Sequence, residues 1–516
     1  MEQAAHPLSS SAQNNRRIAK NTLMLYFRMI LTMLVNLYTS RIVLNTLGVE
    51  DFGIYTVVGG VVAMFGFLNG AMSSATQRFL SFELGRGDLV QLRKTFNATL
   101  IIHLGIAVLL LVLAESLGLW FVKNYLVLPA SRMQAAIWVY HFSVLSFVVA
   151  IVQLPYHAVI IARERMNVYA YVSILEVSLK LLVVFMLTWM AFDKLSLYGV
   201  LIFAVTLLIA AIYILYSRYH FGETKFEVVK DKKLYTTLIS YSGWNMFGNI
   251  AAVAKIQGVS IILNLFFGPV VNAARGIAIQ VQNAVQAFVL NFQMAVNPQI
   301  IKSYAAGHRA YMTELIIRSS KFSFYLLFML SLPIVLEVDQ LLKLWLKTVP
   351  EYSAIFTVLI LAVILIDSVS GPLMTAIQAS GKIKVYQVVV GSLLLLILPL
   401  SYLFLKAGYS PEITLYINIV ISILALAVRL FIVGKLLDFP VWGFIHEVVL
   451  RNTAIVVLSL SLPLFLRSQM DADYLRLLLV AAVAPIWSGL LIYLIGLRKS
   501  EKELLGRAVK KVFRRK

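Results

Sequence analysis

Cysteine is absent from all 516 residues, which excludes disulfides and thiolate metal sites while leaving the compartment open. Charge is scarce, at 13% of residues, and negative charge scarcer still: 24 Asp and Glu stand against 45 Lys and Arg. A soluble domain is about one quarter charged. With 60% hydrophobic residues and a mean hydropathy of +0.86, the chain has no room for a sizeable soluble domain. Histidine is rare too, seven in all and scattered, and no paired carboxylates stand at catalytic spacing. An integral-membrane polymerase or glycosyltransferase needs reactive residues in a large outside loop, and the largest here, 337–352, has no histidine. No catalytic residue, metal site or cofactor is expected.

What is present is apolar sequence in lengths that cross a bilayer, which takes about 20 residues. Fourteen spans are expected, at 19–45, 54–82, 96–122, 134–160, 168–191, 197–219, 236–266, 270–300, 315–336, 352–380, 385–406, 412–435, 443–466 and 475–497. The fold class is all-α, a polytopic membrane helical bundle. Residues 1–15 are polar and read as a disordered tail without a cleavable signal, so span 1 acts as an uncleaved anchor. The tail 498–516 is basic with Leu504, Leu505, Ala508, Val509, Val512 and Phe513 at helical spacing, which suits a helix lying on an anionic membrane surface.

With the N-terminus placed in the cytoplasm, 29 Lys and Arg fall in inside segments and eight in outside ones. That asymmetry is the positive-inside signature and sets both termini in the cytoplasm. It also accounts for most of the net charge of +21, so nucleic acid is not needed as a partner.

The chain repeats itself. PYHAVIIARERMNVY (155–169) aligns without gaps on PLMTAIQASGKIKVY (372–386), an offset of 217, with Pro155/Pro372, Ile160/Ile377, Ala162/Ala379, Val168/Val385 and Tyr169/Tyr386 identical. RFLSFELGRGD (78–88) echoes PQIIKSYAAGHR (298–309). The reading is two parallel six-helix halves, 16–219 and 236–436, joined by a cytoplasmic linker 220–235 and followed by spans 13 and 14 within 437–497. Parallel repeats imply a cleft between halves near the bilayer midplane and alternating access.

Eight basic residues lie within spans: Arg28, Arg41, Arg78, Lys180, Lys255, Arg275, Lys321 and Arg429. Charges at depth are costly and face a cavity or a partner. Lys180 follows Glu176 by four residues, the spacing of an intrahelical ion pair. Lys321 and Arg429 are near enough to inside ends to snorkel. Arg28, Arg41, Arg78, Lys255 and Arg275 are the candidates for a cationic cavity. Polar stripes accompany them: Thr32 and Asn36 in span 1, Asn69 in span 2, Asn249 in span 7, and Asn272, Asn283, Gln286 and Gln293 in span 8. Helix–helix hydrogen bonding is the competing explanation for the amides. Asp367 and Glu176 are the carboxylates placed well inside, and with His103 they are candidates for coupling to a proton or sodium ion. An interior with more cations than anions suits a phosphate-bearing substrate, and amides with hydroxyls suit sugar.

The stretch 16–61 with its "LG…FGIY" turn between spans 1 and 2, followed by SSATQRFLSFELGRGD (73–88), resembles bacterial polysaccharide and O-antigen flippases of the multidrug/oligosaccharidyl-lipid/polysaccharide exporter (MOP) superfamily. The resemblance implies translocation of an undecaprenyl-diphosphate-linked oligosaccharide across the bacterial inner membrane. It also implies membrane lipids, and a polysaccharide polymerase with other assembly proteins, as partners. Spans 13 and 14 are similar to those of the lipid II flippase branch. A lipid II-type flippase or a multidrug antiporter of the same superfamily is the alternative, although drugs carried by such antiporters are largely cationic.

Overall fold

The computed structural model describes residues 7–63, 66–125, 129–190, 192–346, 349–499 and 501–503. Residues 504–516 of the tail lie outside the described residues, as do the side chains of Arg41 and Asn272. Among the described residues there is no strand. Twelve helices among the described residues are long and apolar enough to cross a membrane, matching spans 1, 3–7 and 9–14. Spans 2 and 8, the amide- and hydroxyl-rich members, are helical as well, within Pro7–Ala63, Gly66–Arg86 and Lys232–Ala305.

Two long helical runs each carry a reversal. Arg275 Nε lies 3.1 Å from Ser260 Oγ, fifteen residues earlier. A straight helix would separate them by about 22 Å, so the chain doubles back between them and spans 7 and 8 form a hairpin. Likewise Arg17 pairs with Glu164 while Asp51 pairs with Arg132. The chain has returned by Gly85, where an added Cβ would stand 2.5 Å from the carbonyl oxygen of Lys302, whose ammonium also binds Glu164. The "LG…FGIY" segment (47–55), expected to be a turn, is helical. Residues 7–15, expected in a disordered tail, are helical too, continuous with span 1.

Two compact units emerge. One comprises Met1–Ile250 with Met294–Arg309, the other Ala251–Gln293 with Ala310–Lys516. The division therefore runs through spans 7 and 8 rather than along the linker 220–235. The first unit packs Leu80, Leu92, Phe96, Val159, Ile160, Val184 and Leu187 into one buried cluster. The second does so with Leu263, Ala274, Ala278, Phe356 and Ile397. In lipid such contacts gain mainly from close packing, since hydrocarbon is already apolar.

The internal repeat is visible in the backbone. Glu164 (φ 59°) and Gly381 (φ 77°), equivalent at the offset of 217, both adopt the left-handed conformation just past their helices. Gly87 (φ 75°) and Gly307 (φ 76°) do the same after spans 2 and 8. Pro155 and Pro372 each lie inside the helix preceding the shared turn. Left-handed residues close helices by letting the next amides turn back onto the last carbonyls.

Two expected snorkelling residues do not snorkel. Lys321 is fully buried and bonds Glu501 at 2.9 Å, because the segment after span 14 brings a carboxylate to it. Arg429 is also buried, held by groups on neighbouring helices as described below. Glu115 adds a third intramembrane carboxylate to the expected two, paired with His141 at 2.8 Å.

Candidate functional site

In the first unit, span 1 carries Arg28, Thr32 and Asn36 at four-residue intervals, which aligns them on one helix face. The structure brings all three to a cavity of about 410 Å³, together with Glu176, Lys180, Gln153 and His157. Arg28 donates to the Tyr169 hydroxyl at 2.8 Å, and its guanidinium carbon stands 4.6 Å from the centre of the Tyr169 ring. The His157 ring packs edge-on against Tyr169 at 4.8 Å and Tyr213 at 5.6 Å. Glu176 and Lys180 form the expected intrahelical pair at 2.6 Å, and they do so on the cavity wall. The carboxylate thus balances a lysine, while the Tyr169 hydroxyl accepts from Arg28. The Thr32 hydroxyl donates to the Met29 carbonyl, leaving its methyl and oxygen on the lining.

Arg78, expected beside Arg28, is elsewhere. Its guanidinium lies over the rings of Phe79 (4.5 Å), Phe82 (4.7 Å) and Tyr241 (5.4 Å). Such an aromatic enclosure offsets the cost of burying a cation and fixes span 2 against the start of span 7. Asn249 donates to the Asn245 carbonyl and abuts Gly70, so it serves helix contact. Asn69 is half-buried near the same place, its carbonyl oxygen without a protein partner.

In the second unit, Lys255 is within electrostatic reach of Asp367, Arg429 and Arg275. Arg429 donates to Ser370 Oγ at 3.1 Å and Tyr386 Oη at 3.3 Å, and lies 4.0 Å from Asp367. Lys255 and Arg429 thus share one carboxylate, with Arg275 a third cation near Lys255. Arg275, buried in the hairpin, also donates to the Ile256 carbonyl at 3.2 Å, so it fastens span 8 to span 7. Of the span 8 amides, Asn283 is exposed and Gln286 accepts from Gln282 at 3.2 Å. Gln293 is not free to line a passage. It donates to Ser323 Oγ and the Ser368 carbonyl, and a Cβ at Gly371 would meet its amide nitrogen at 2.5 Å. It joins spans 8, 9 and 10, the role that competed with cavity lining in the sequence.

Sequence reasoning missed Tyr169, His157, Ser370 and Tyr386, and it set Arg429 aside as a snorkelling residue. A signal existed for two of them, since Tyr169 and Tyr386 are identical across the repeat. His103, considered as a coupling group, is buried with Nδ1 2.8 Å from the Thr99 carbonyl of its own helix, a packing arrangement. Among the described residues no cluster of His, Asp and Glu is placed to hold a metal.

No protein-family profile and no curated protein matches the sequence. Solved structures do. An outward-facing multidrug resistance MATE family transporter of the MOP superfamily superposes with a TM-score of 0.70 at 12% identity, covering 84% of this chain and 99% of that one. The MATE transporter ClbM in complex with Rb+ gives 0.66 at 14% identity, over 80% and 94%. A MOP superfamily transporter from Pyrococcus furiosus Vc1, for which reverse polarity of the binding pocket suggests a different function, gives 0.66 at 12%, over 84% and 99%. At these identities the likeness is one of fold: the chain has the membrane-transporter fold of the MATE proteins of the MOP superfamily.

Proposed function

We propose that the protein is a flippase that moves an undecaprenyl-diphosphate-linked oligosaccharide from the inner to the outer leaflet of the bacterial cytoplasmic membrane by alternating access. The observation that carries this is the second unit's group of cations, in which Lys255 and Arg429 share a single carboxylate, Asp367, and Arg275 stands within electrostatic reach of Lys255. A cluster with net positive charge repels the cationic drugs of a multidrug exporter. It attracts a diphosphate, and a low local dielectric strengthens that attraction. In the first unit, Arg28 with Thr32, Asn36 and Gln153 supplies one cation and several hydrogen-bonding groups to the cavity, a combination suited to phosphate next to sugar.

On this reading Lys255 and Arg28 attract the diphosphate, amides and hydroxyls accompany the sugars, and the lipid tail stays among membrane lipids. Asp367 or Glu176 supplies the site for a coupling proton or sodium ion. A polysaccharide polymerase takes the product on the outer face. The test is surface polysaccharide in cells carrying Arg28→Ala, Lys255→Ala or Arg275→Ala, with membrane protein levels matched. Loss in each supports the flippase; normal polysaccharide in all three defeats it, and ethidium export by the wild type would favour the multidrug exporter.

A further inference from the structure

A second cavity lies in the other part of the second unit, where Val338–Trp345 approaches the connection between spans 13 and 14. It measures about 520 Å³. The charge asymmetry of the sequence places this end outside. Its floor is a buried ion pair, Arg476 to Glu337 at 2.8 Å.

That pair is half used. Glu337 Oε1 and Arg476 Nε are buried without a protein partner, and so are both amide atoms of Gln340 on the same wall. Buried donors and acceptors left unmade cost stability, so four of them on one wall are not an arrangement that folding alone favours. They form a set with two acceptors, two donors and fixed positions. Around them Lys343 and Arg467 oppose Asp339 and Asp473, which leaves the cavity with balanced charge. Tyr474, 69% exposed, offers a ring at its mouth. A balanced pocket has no preference for a diphosphate or a cation. Paired donors and acceptors beside an aromatic face fit a neutral polyhydroxyl ligand.

We propose that this cavity is a saccharide-binding subsite on the outer face. It rests on the flippase reading for the identity of the glycan, and holds the sugar end of a delivered lipid or a free glycan of the same composition. On binding, the Gln340 amide turns from its buried position to bond the hydroxyls beside the Glu337–Arg476 pair, and Tyr474 packs on a sugar ring.

The experiment presents full-length protein in lipid nanodiscs with oligosaccharide released by mild acid from the undecaprenyl-diphosphate pool of the expressing cells. Saturation transfer from protein to glycan protons is read by NMR. Wild type gives transfer, whereas Gln340→Leu and Tyr474→Ala reduce it at least tenfold. No transfer to the wild type, or equal transfer in Gln340→Leu, overturns the site and leaves water as its occupant. Gln340→Leu removes an unpartnered amide at similar volume, so its Tm equals or exceeds that of wild type; a lower Tm would show partners within the fold and also overturn the proposal. Competition by intact lipid-linked oligosaccharide assigns the delivered lipid as the source, and its absence assigns a free glycan, either supporting the subsite. A parallel flipping assay in liposomes separates the two readings: flipping without glycan binding defeats the subsite alone, and binding without flipping defeats the transport reading alone.

Discussion

Tyr169 and Tyr386 stand at equivalent positions of the internal repeat, and each accepts a hydrogen bond from a guanidinium, Arg28 at 2.8 Å and Arg429 at 3.3 Å. The arginines are not repeat mates, coming from spans 1 and 12. What the repeat preserves is the phenol that receives a cation at the start of the helix after the left-handed turn. A hydrogen bond to a charged group contributes about 1.5–3 kcal/mol. Tyr169→Phe keeps the ring under Arg28 and removes only that bond. On the flippase reading its expected effect is roughly a tenfold fall in lipid-linked oligosaccharide flipping in liposomes, with the Tm lowered by a few degrees. Tyr169→Phe flipping at the wild-type rate would show that Arg28 needs no fixed position.

Asp367 sits 4.0 Å from Arg429 with a third of its side chain accessible. If it carries the coupling ion, Asp367→Asn loses the part of flipping that depends on an imposed proton or sodium gradient and keeps the passive part. Equal gradient dependence in mutant and wild type would confine Asp367 to neutralising Arg429.

Lys321 and Glu501 form a buried pair, with Arg318 at 3.5 Å from the same carboxylate. Removing one partner of a buried pair costs about 3–5 kcal/mol because the other is left uncompensated, whereas apolar replacement of both is often neutral. Lys321→Met is therefore expected to lower the Tm sharply, and Lys321→Met with Glu501→Leu to recover most of the loss. A double variant as unstable as the sum of the singles would contradict the pairing.

Gly381 has φ 77° and Glu164, its repeat mate, φ 59°. A side chain in the left-handed region costs about 1–2 kcal/mol. Gly381→Ala should destabilise by that amount. At position 164 the strain is offset by Arg17, Lys302 and Gln299, all bonded to the Glu164 carboxylate. Glu164→Gly relieves the backbone yet is expected to destabilise more than Gly381→Ala, as thermal unfolding of the two variants in nanodiscs will show.

At one end of the first unit, Arg132 joins Asp51 and Asp193 at 2.6 and 2.7 Å. Burial works to raise the Asp193 carboxyl, but the hydroxyl and amide of Ser196 and the charge of Arg132 outweigh it and hold the carboxyl below its usual value. A depressed folded value means the contribution is fully present above the unfolded pKa, about 3.9, and is lost as pH falls through the folded value. The Tm difference between wild type and Asp193→Asn is thus expected to be constant from pH 5 to 8 and to shrink below pH 4. A difference that stays constant to pH 3 would exclude the charge as its cause.

Much of the architecture is legible without coordinates because lipid leaves the chain few options. Backbone groups in hydrocarbon must be satisfied internally, so long apolar runs become helices, and the helices the structure places within the fourteen spans follow. The repeat is legible because helix-ending turns need particular residues, and Gly87, Gly307 and Gly381 mark them. Glu176 with Lys180 is legible because four residues on a helix is a spatial contact.

Partners on different helices are another matter. Spacing on span 12 says where Arg429 points, but not that Tyr386, Ser370 and Asp367 meet it. The same limit hid Glu501 from Lys321 and made Gln293, which ties three helices, look like a residue lining a passage. The sequence by itself determined an all-helical membrane transporter fold with a repeated turn and an excess of intramembrane cations. Only the tertiary structure decided which cation has which partner, because hydrogen bonds between helices depend on packing over distances of a few ångströms that no periodicity along one helix encodes.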